Sequence, residues 1–386
     1  MTCGFSYSRN GLVVRAISHG VALFFVPLGM RICIVYNAHP TGCSFYRLEM
    51  PNAYLGDNYT EFDYVCVDNI ANVKDEDLKT VDVWLFNRLW CQGTLDQIRK
   101  VYEALTAFGA KVILDLDDYW VLESGHIMYR HYLSTKLDEQ IREHIRLADH
   151  VTTTTEHLAQ KIRLLNKKVT ILPNEPYEAY QQYKASPDEE PEPHLFKIGW
   201  FGGAQHQEDI ALVEHSFSLL AHDKSLDGRY KIYLGGWNEN PVYADYEKML
   251  SCRGLNKNYG RIQAADIYSY VGGYNFINAT IAPLRDTKFN RLKSELKVVE
   301  AGWMGKAIIA SETIPYTDII VHGHNGLLIP YGKKDAWYKA VRKFVNEPDY
   351  ARSLAMQLSK DVRERFDISK TAQRRAELYR SIGRKL

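Results

Sequence analysis

Lys293, Lys297 and Glu300 are four and three residues apart. In a helix, which turns about 100° per residue, the three share a narrow arc of one face. The stretch 294–304 predicts such a helix, with Ser294 as N-cap and Gly305 as the stop. Lys297 then sits in the first turn, where a cation opposes the helix macrodipole at a cost of roughly 0.3–1 kcal/mol. An anion seated on the free N–H groups removes that conflict. The spacing therefore predicts a phosphate-binding helix end.

A second candidate is Gly199-Trp200-Phe201-Gly202-Gly203-Ala204-Gln205-His206, a strand running into a glycine turn. Gly202 and Gly203 let backbone approach a ligand closely, and the helix after them again offers N–H groups to an anion. Tyr233-Leu234-Gly235-Gly236-Trp237 is a weaker glycine pair at a strand end. Asp115, Asp117 and Asp118 follow an apolar run. They read as acceptor-binding or capping groups, as the Asp-x-Asp metal site of single-domain GT-A glycosyltransferases, or as the nucleophile motif of haloacid-dehalogenase-type phosphatases. Gly42, Tyr46 and Arg47 lie in and after the loop that follows the first strand, and Cys43 with His39 raises a thiol nucleophile with no third orienting group in view.

The chain has 386 residues, too many for one ordinary core. Hydrophobic and charged fractions of 46% and 25% are those of a globular protein, and a net charge of +1 gives no reason to expect nucleic acid. The six cysteines form no CxxC pair, so a reducing, cytoplasmic setting is expected. Residues 12–28 are apolar but interrupted by Arg15, Ser18 and His19, too short for a spanning helix. Residues 1–29 read as an extension ahead of a start at Met30, or as a signal or anchor.

These groups need elements to hold them. Strand-like runs at 32–36, 64–67, 81–86, 111–116, 150–153 and 169–172 alternate with amphipathic runs at 95–108, 135–148 and 156–165. A proline- and acid-rich linker follows at 184–194. Alternation resumes with strands at 197–201, 230–234, 276–282, 307–310 and 326–329 and helices at 208–220, 294–304, 336–346, 350–365 and 369–382. The fold class is α/β, with two doubly wound Rossmann-like domains at 30–183 and 195–365 facing across a cleft. Residues 366–386 are expected to return to the first domain. Ligands of such sheets lie beyond the carboxyl ends of the strands.

In this order the motifs resemble the retaining GT-B glycosyltransferases of the large Glu-x7-Glu group, the glycosyl transferases group 1 or family 4-like enzymes. The resemblance runs from about Arg31 to Ile382. It is carried by Tyr46-Arg47, Asp115–Asp118, Leu172-Pro173-Asn174, Gly199–Asp209 and, most strongly, Ala282-Pro283-Leu284 through Glu300-Ala301. It implies transfer of a sugar from a nucleotide sugar to a glycan, lipid-linked or other hydroxyl acceptor, with retention and without a metal or other cofactor. Lys293, Glu300 and Asp117 would be catalytic. Gly202, Gly203, His206, Asn290, Ser294 and Lys297 would bind the donor, and Gly42, Tyr46, Arg47 and Asp118 would face the acceptor. Peripheral contact with a membrane would suit a lipid-linked acceptor. One position departs from the pattern: Leu292 stands where the first motif glutamate belongs, and Lys293, Asn290 or Asp286 would have to substitute. The rival readings are a nucleotide-sugar epimerase and a non-catalytic nucleotide-sugar-binding subunit.

Overall fold

The computed structural model describes residues 29–36, 40–184 and 194–383. The expected extension at 1–29 lies outside the described residues except for Gly29, as do His39 and residues 185–193 of the linker. The chain divides into two compact units, Met1–Tyr177 with Ile368–Leu386 and Glu178–Asp367.

The first unit is built on six parallel strands: β1 (Met30–Val35), β2 (Phe62–Val67), β3 (Val83–Asn87), β4 (Lys111–Leu116), β5 (His150–Thr153) and β6 (Val169–Ile171). Their order is β2-β1-β3-β4-β5-β6. The run Val-Trp-Leu-Phe-Asn of β3 is buried throughout, as expected of a parallel strand covered on both faces. The order reverses direction between β1 and β3, which makes a crevice at their carboxyl ends. The last helix, Ile368–Ile382, adds Ala372, Ala376, Leu378 and Tyr379 to the core that holds Leu48, Leu55 and Phe62. Its Tyr379 hydroxyl donates to Asn52 Oδ1 at 2.9 Å.

The second unit repeats the plan with β7 (Phe196–Phe201), β8 (Tyr230–Trp237), β9 (Tyr259–Gln263), β10 (Ala279–Ala282), β11 (Ala307–Ser311) and β12 (Leu327–Ile329), ordered β12-β11-β10-β7-β8-β9 and all parallel. Its order reverses between β7 and β10. The sequence does not announce β9: Tyr-Gly-Arg-Ile-Gln is a half-exposed edge strand without an apolar run. The strand expected at 276–282 is shorter because Tyr270–Phe276 forms a 3-10 helix. The helix expected at 135–148 begins at Leu137, after Lys136 takes a left-handed φ of 53°. Among the described residues no helix is long and apolar enough to cross a membrane.

Candidate functional site

The reversal point of the second sheet collects most of the expected donor residues. β7 ends at Phe201, and a Cβ on Gly202 would lie 2.6 Å from Trp200 and 3.1 Å from Lys297 Nζ, so only glycine fits there. Gly203 has open space at its Cβ position. The Tyr243 hydroxyl donates to Gly202 O at 2.9 Å and that of Tyr246 to Gly203 O at 3.3 Å. The His206 N–H donates to Tyr246 Oη, and its ring Nδ1 is 2.8 Å from Asp209 Oδ2. Burial pushes His206 down to about 4, helped by Lys297 and Lys293 and opposed by Asp209. The imidazole is therefore neutral at pH 7 and offers hydrogen bonds rather than charge.

The helix that begins the lysine motif is two residues shorter at its start than the spacing predicts. It spans Leu296–Trp303, with Glu295 at the cap position and no side-chain cap bond. Ser294 is thus not the N-cap. Lys293 is extended (φ −71°, ψ 165°), outside the helix, and does not share the face of Lys297 and Glu300. The physical cause is the pair Leu292 and Glu295. Both are buried, and the extended backbone of Lys293 lets both turn inward. Asn290 also differs from expectation. Its amide donates to Arg285 O at 2.9 Å and to Asp209 Oδ1 at 3.4 Å, so it fixes the loop rather than donating to a ligand.

Lys297 Nζ donates to Phe201 O and stands 5.2 Å from the centre of the Trp200 ring. Burial lowers its pKa to about 8 against the pull of Glu300, with Lys293 adding repulsion. Lys293 is half-buried, its Nζ 5.1 Å from the Phe289 ring centre. Glu300 is buried and receives two hydroxyls, from Tyr270 on Oε1 and from Tyr274 on Oε2 at 3.1 Å. Tyr274 stacks on Phe201 with ring centres 4.6 Å apart. The Phe201 ring occupies the space that side chains at Gly199, Gly235 and Gly273 would fill. Tyr270 and Tyr274 escaped the sequence reading, and Phe201 entered it only as the end of the strand before the glycine turn. Their one signal in the motifs read from sequence was Gly235 of the Gly235-Gly236 pair, which makes room for the Phe201 ring.

In the first unit, Thr41 and Ser44 form a reciprocal capping box around Gly42, and Phe45–Glu49 continues as a π-helical turn. π-turns are frequent at functional sites. Two expected acceptor residues prove to be interior. Tyr46 is buried, and Arg47 is fully buried with a bidentate pair to Asp115 at 2.9 Å. Arg47 Nη1 also donates to Leu172 O and Asn174 Oδ1. Asp115 further accepts from Thr152 Oγ1 at 2.7 Å. With every partner inside the unit, Arg47 and Asp115 organise strand ends and cannot hold an acceptor.

Arg88, which the sequence reading missed, takes the outward place. It follows β3 directly in a left-handed conformation (φ 50°), a strain of order 1–3 kcal/mol. Its Nη2 lies 2.7 Å from Asp117 Oδ1 and 2.8 Å from Asp118 Oδ2, with Cys43 Sγ at 3.8 Å. Burial works against the charge of Asp117, but Arg88 and the Cys43 thiol hold its carboxyl below the usual value. Burial, reinforced by Asp117, pushes the Cys43 thiol well above its own, which removes it as a nucleophile. Among the described residues no group of three His, Cys, Asp or Glu could hold a metal ion. A groove of about 920 Å³ in the second unit is lined by Gln207, Glu214, Asp245, Glu247 and Lys248.

No protein-family model matches the sequence, and no curated protein matches it. Solved structures do. HepE of Anabaena, in complex with UDP and glucose, superposes with a TM-score of 0.65 at 14% identity, over 91% of this chain and 100% of that one. Sucrose-phosphate synthase from Thermosynechococcus elongatus gives 0.63 at 14% identity, over 91% and 98%. A glycosyltransferase from Rickettsia africae gives 0.63 at 13%, over 92% and 98%. The fold is GT-B. At these identities the likeness is one of fold, and both Rossmann-like units of GT-B are covered.

Proposed function

We propose that this GT-B chain is a glycosyltransferase that moves a sugar from a nucleoside-diphosphate sugar to an acceptor hydroxyl, with retention and without a bound metal. The observation that carries the reading is the convergence of Gly202, Lys293, Lys297 and Glu300 at the β7/β10 reversal point, where doubly wound sheets bind their ligands. A diphosphate there meets two lysines and the start of the Leu296–Trp303 helix. Lys297 exchanges the Phe201 carbonyl for a phosphate oxygen, a stronger acceptor for an ammonium. Glu300, already oriented by two tyrosines, accepts from the ribose hydroxyls.

Charge builds on the leaving diphosphate as the bond from the sugar anomeric carbon to the phosphate oxygen breaks. Fixed cations and dipoles stabilise that charge without reorganisation. The acceptor oxygen bonds to the same face of the carbon, and its proton passes to the departing phosphate. No protein nucleophile is required. Asp117 and Asp118 orient the acceptor. Leu292 is buried, Asn290 is committed to the loop, and Asp286 is paired with Arg291 and with Thr313 Oγ1 at 2.9 Å. Of the substitutes for the missing glutamate, Lys293 rests only against the Phe289 ring and has no salt bridge among the described residues. A uridine donor is the first to try, since HepE was crystallised with UDP and with UDP-glucose. We place the reaction in the cytoplasm, with membrane contact only if the acceptor is lipid-linked.

The test is a nucleotide-sugar panel read by thermal shift and by donor hydrolysis, with Glu300→Gln and Lys293→Ala in parallel. Both substitutions should weaken the best donor at least tenfold. A donor that binds equally well to both variants would remove the proposed site.

A further inference from the structure

Charge divides the two residue sets. At the second reversal point Lys293 and Lys297 face Glu300 and Asp209, and His206 is neutral. At the first, one guanidinium stands between two carboxylates, and among the described residues no second cation pairs with either. That group carries one net negative charge. The same Arg88 nitrogen, Nη2, reaches both Asp117 and Asp118, so the guanidinium cannot offer a clear bidentate fork to a phosphate. Two buried donors, Arg88 Nε and the Nε1 of Trp120 two residues after Asp118, have no hydrogen-bond partner among the described residues.

The location is as telling as the charge. Arg88 leaves β3 at the β1/β3 reversal point, the crevice in which a doubly wound sheet takes its ligand. Its backbone N–H is tied to Asp115 O at 2.8 Å, which fixes the left-handed residue against the next strand. Two carboxylates pinned by one arginine form a rigid pair of hydroxyl acceptors. We propose that Arg88 is the positioning residue for Asp117 and Asp118, and that the group they receive is an uncharged polyol rather than a phosphate ester. This rests on the glycosyl-transfer reading for the identity of the bound group as acceptor. A sugar hydroxyl donates to either carboxylate at no electrostatic penalty. A phosphate dianion brought to the same place meets a net negative charge in a partly desolvated setting.

The experiment compares neutral sugars with their own phosphate esters on the full chain: glucose and glucose 6-phosphate, mannose and mannose 6-phosphate, N-acetylglucosamine and its 6-phosphate. Binding is read by saturation-transfer NMR without donor, and transfer by kcat/KM with the best nucleotide sugar. Each neutral sugar that is used should exceed its phosphate at least tenfold. Asp118→Asn, which removes the excess charge, should narrow that ratio about tenfold. Arg88→Gly relieves the left-handed backbone but loses the guanidinium. It should raise the acceptor KM at least tenfold and the donor KM less than twofold, with partial recovery in Arg88→Lys. A phosphate ester that binds or reacts better, neutral sugars that all fail to bind, or an acceptor KM indifferent to Arg88→Gly would each overturn the proposal. Failure of every nucleotide sugar to bind would instead count against the proposed function, since the NMR comparison needs no donor.

Discussion

Lys297→Met should make the protein more stable and a poorer binder of nucleotide. The amine is held at about 8 rather than 10.5 because burial disfavours its charge. At pH 7 the folded chain keeps it charged nonetheless. A displacement of that size corresponds to about 1–3 kcal/mol of destabilisation, once solvent screening of a half-buried amine is allowed for. Removing the charge should raise Tm at pH 7 by about 2–12 °C for a unit of this size. The sign with pH follows from proton binding. Between pH 8 and 10.5 the unfolded chain holds more protons than the folded one, so wild-type stability rises across that window through this group. The variant lacks that rise, and the two melting curves should converge at high pH. Nucleotide affinity moves the other way. If the charged amine is what grips the diphosphate, UDP affinity of the wild type falls about tenfold from pH 7 to pH 9, as the protonated fraction drops. Differential scanning fluorimetry at pH 7 and pH 10, with UDP titrations at pH 7 and pH 9, reads both effects. A lower Tm for Lys297→Met at pH 7, or UDP affinity indifferent to the substitution, would refute the reasoning.

Arg47→Met should cost about 3–5 kcal/mol by leaving Asp115 buried and uncompensated, yet leave the acceptor KM unchanged below its lowered melting temperature. Gly235→Ala drives a methyl into the Phe201 ring. It should cost about 1–3 kcal/mol in urea unfolding and weaken UDP binding through Tyr274 and Glu300. Asp117→Asn should destabilise at pH 7. Because Arg88 holds the folded carboxyl below its ordinary 3.8, the gap should close as pH falls through that value and below.

The alternation of apolar and amphipathic runs made both sheets legible, because parallel strands covered on both faces must be apolar throughout. β9 was lost for the opposite reason: an edge strand with Gly260 and Arg261 looks like a loop. The lysine motif was legible as chemistry but not as geometry. Periodicity placed Lys293 on a helix, whereas the buried pair Leu292 and Glu295 keeps it extended. The two arginines of the first unit show a deeper limit. Arg47 stood beside the expected loop and Arg88 did not. Which one turned inward depended on the π-helical turn that aims Arg47 at Asp115, and on a left-handed residue after β3. Neither leaves a mark in composition or spacing. Tyr270 and Tyr274 reach Glu300 from 30 and 26 residues away, a pairing that only the folded second sheet creates.

The helix Ile368–Ile382 has a consequence for how the molecule is made. Leu48, Leu55 and Phe62 wait for Ala372, Ala376, Leu378 and Tyr379 to complete their core. Those residues leave the ribosome only after the whole of Glu178–Asp367 has been synthesised. The usual order, in which the N-terminal domain folds first during synthesis, is therefore inverted. The second unit can close while translation continues, but the first can finish only once Ile368–Ile382 has emerged. Nascent chains stalled short of residue 368 should thus protect the second unit from protease and leave the first open to it.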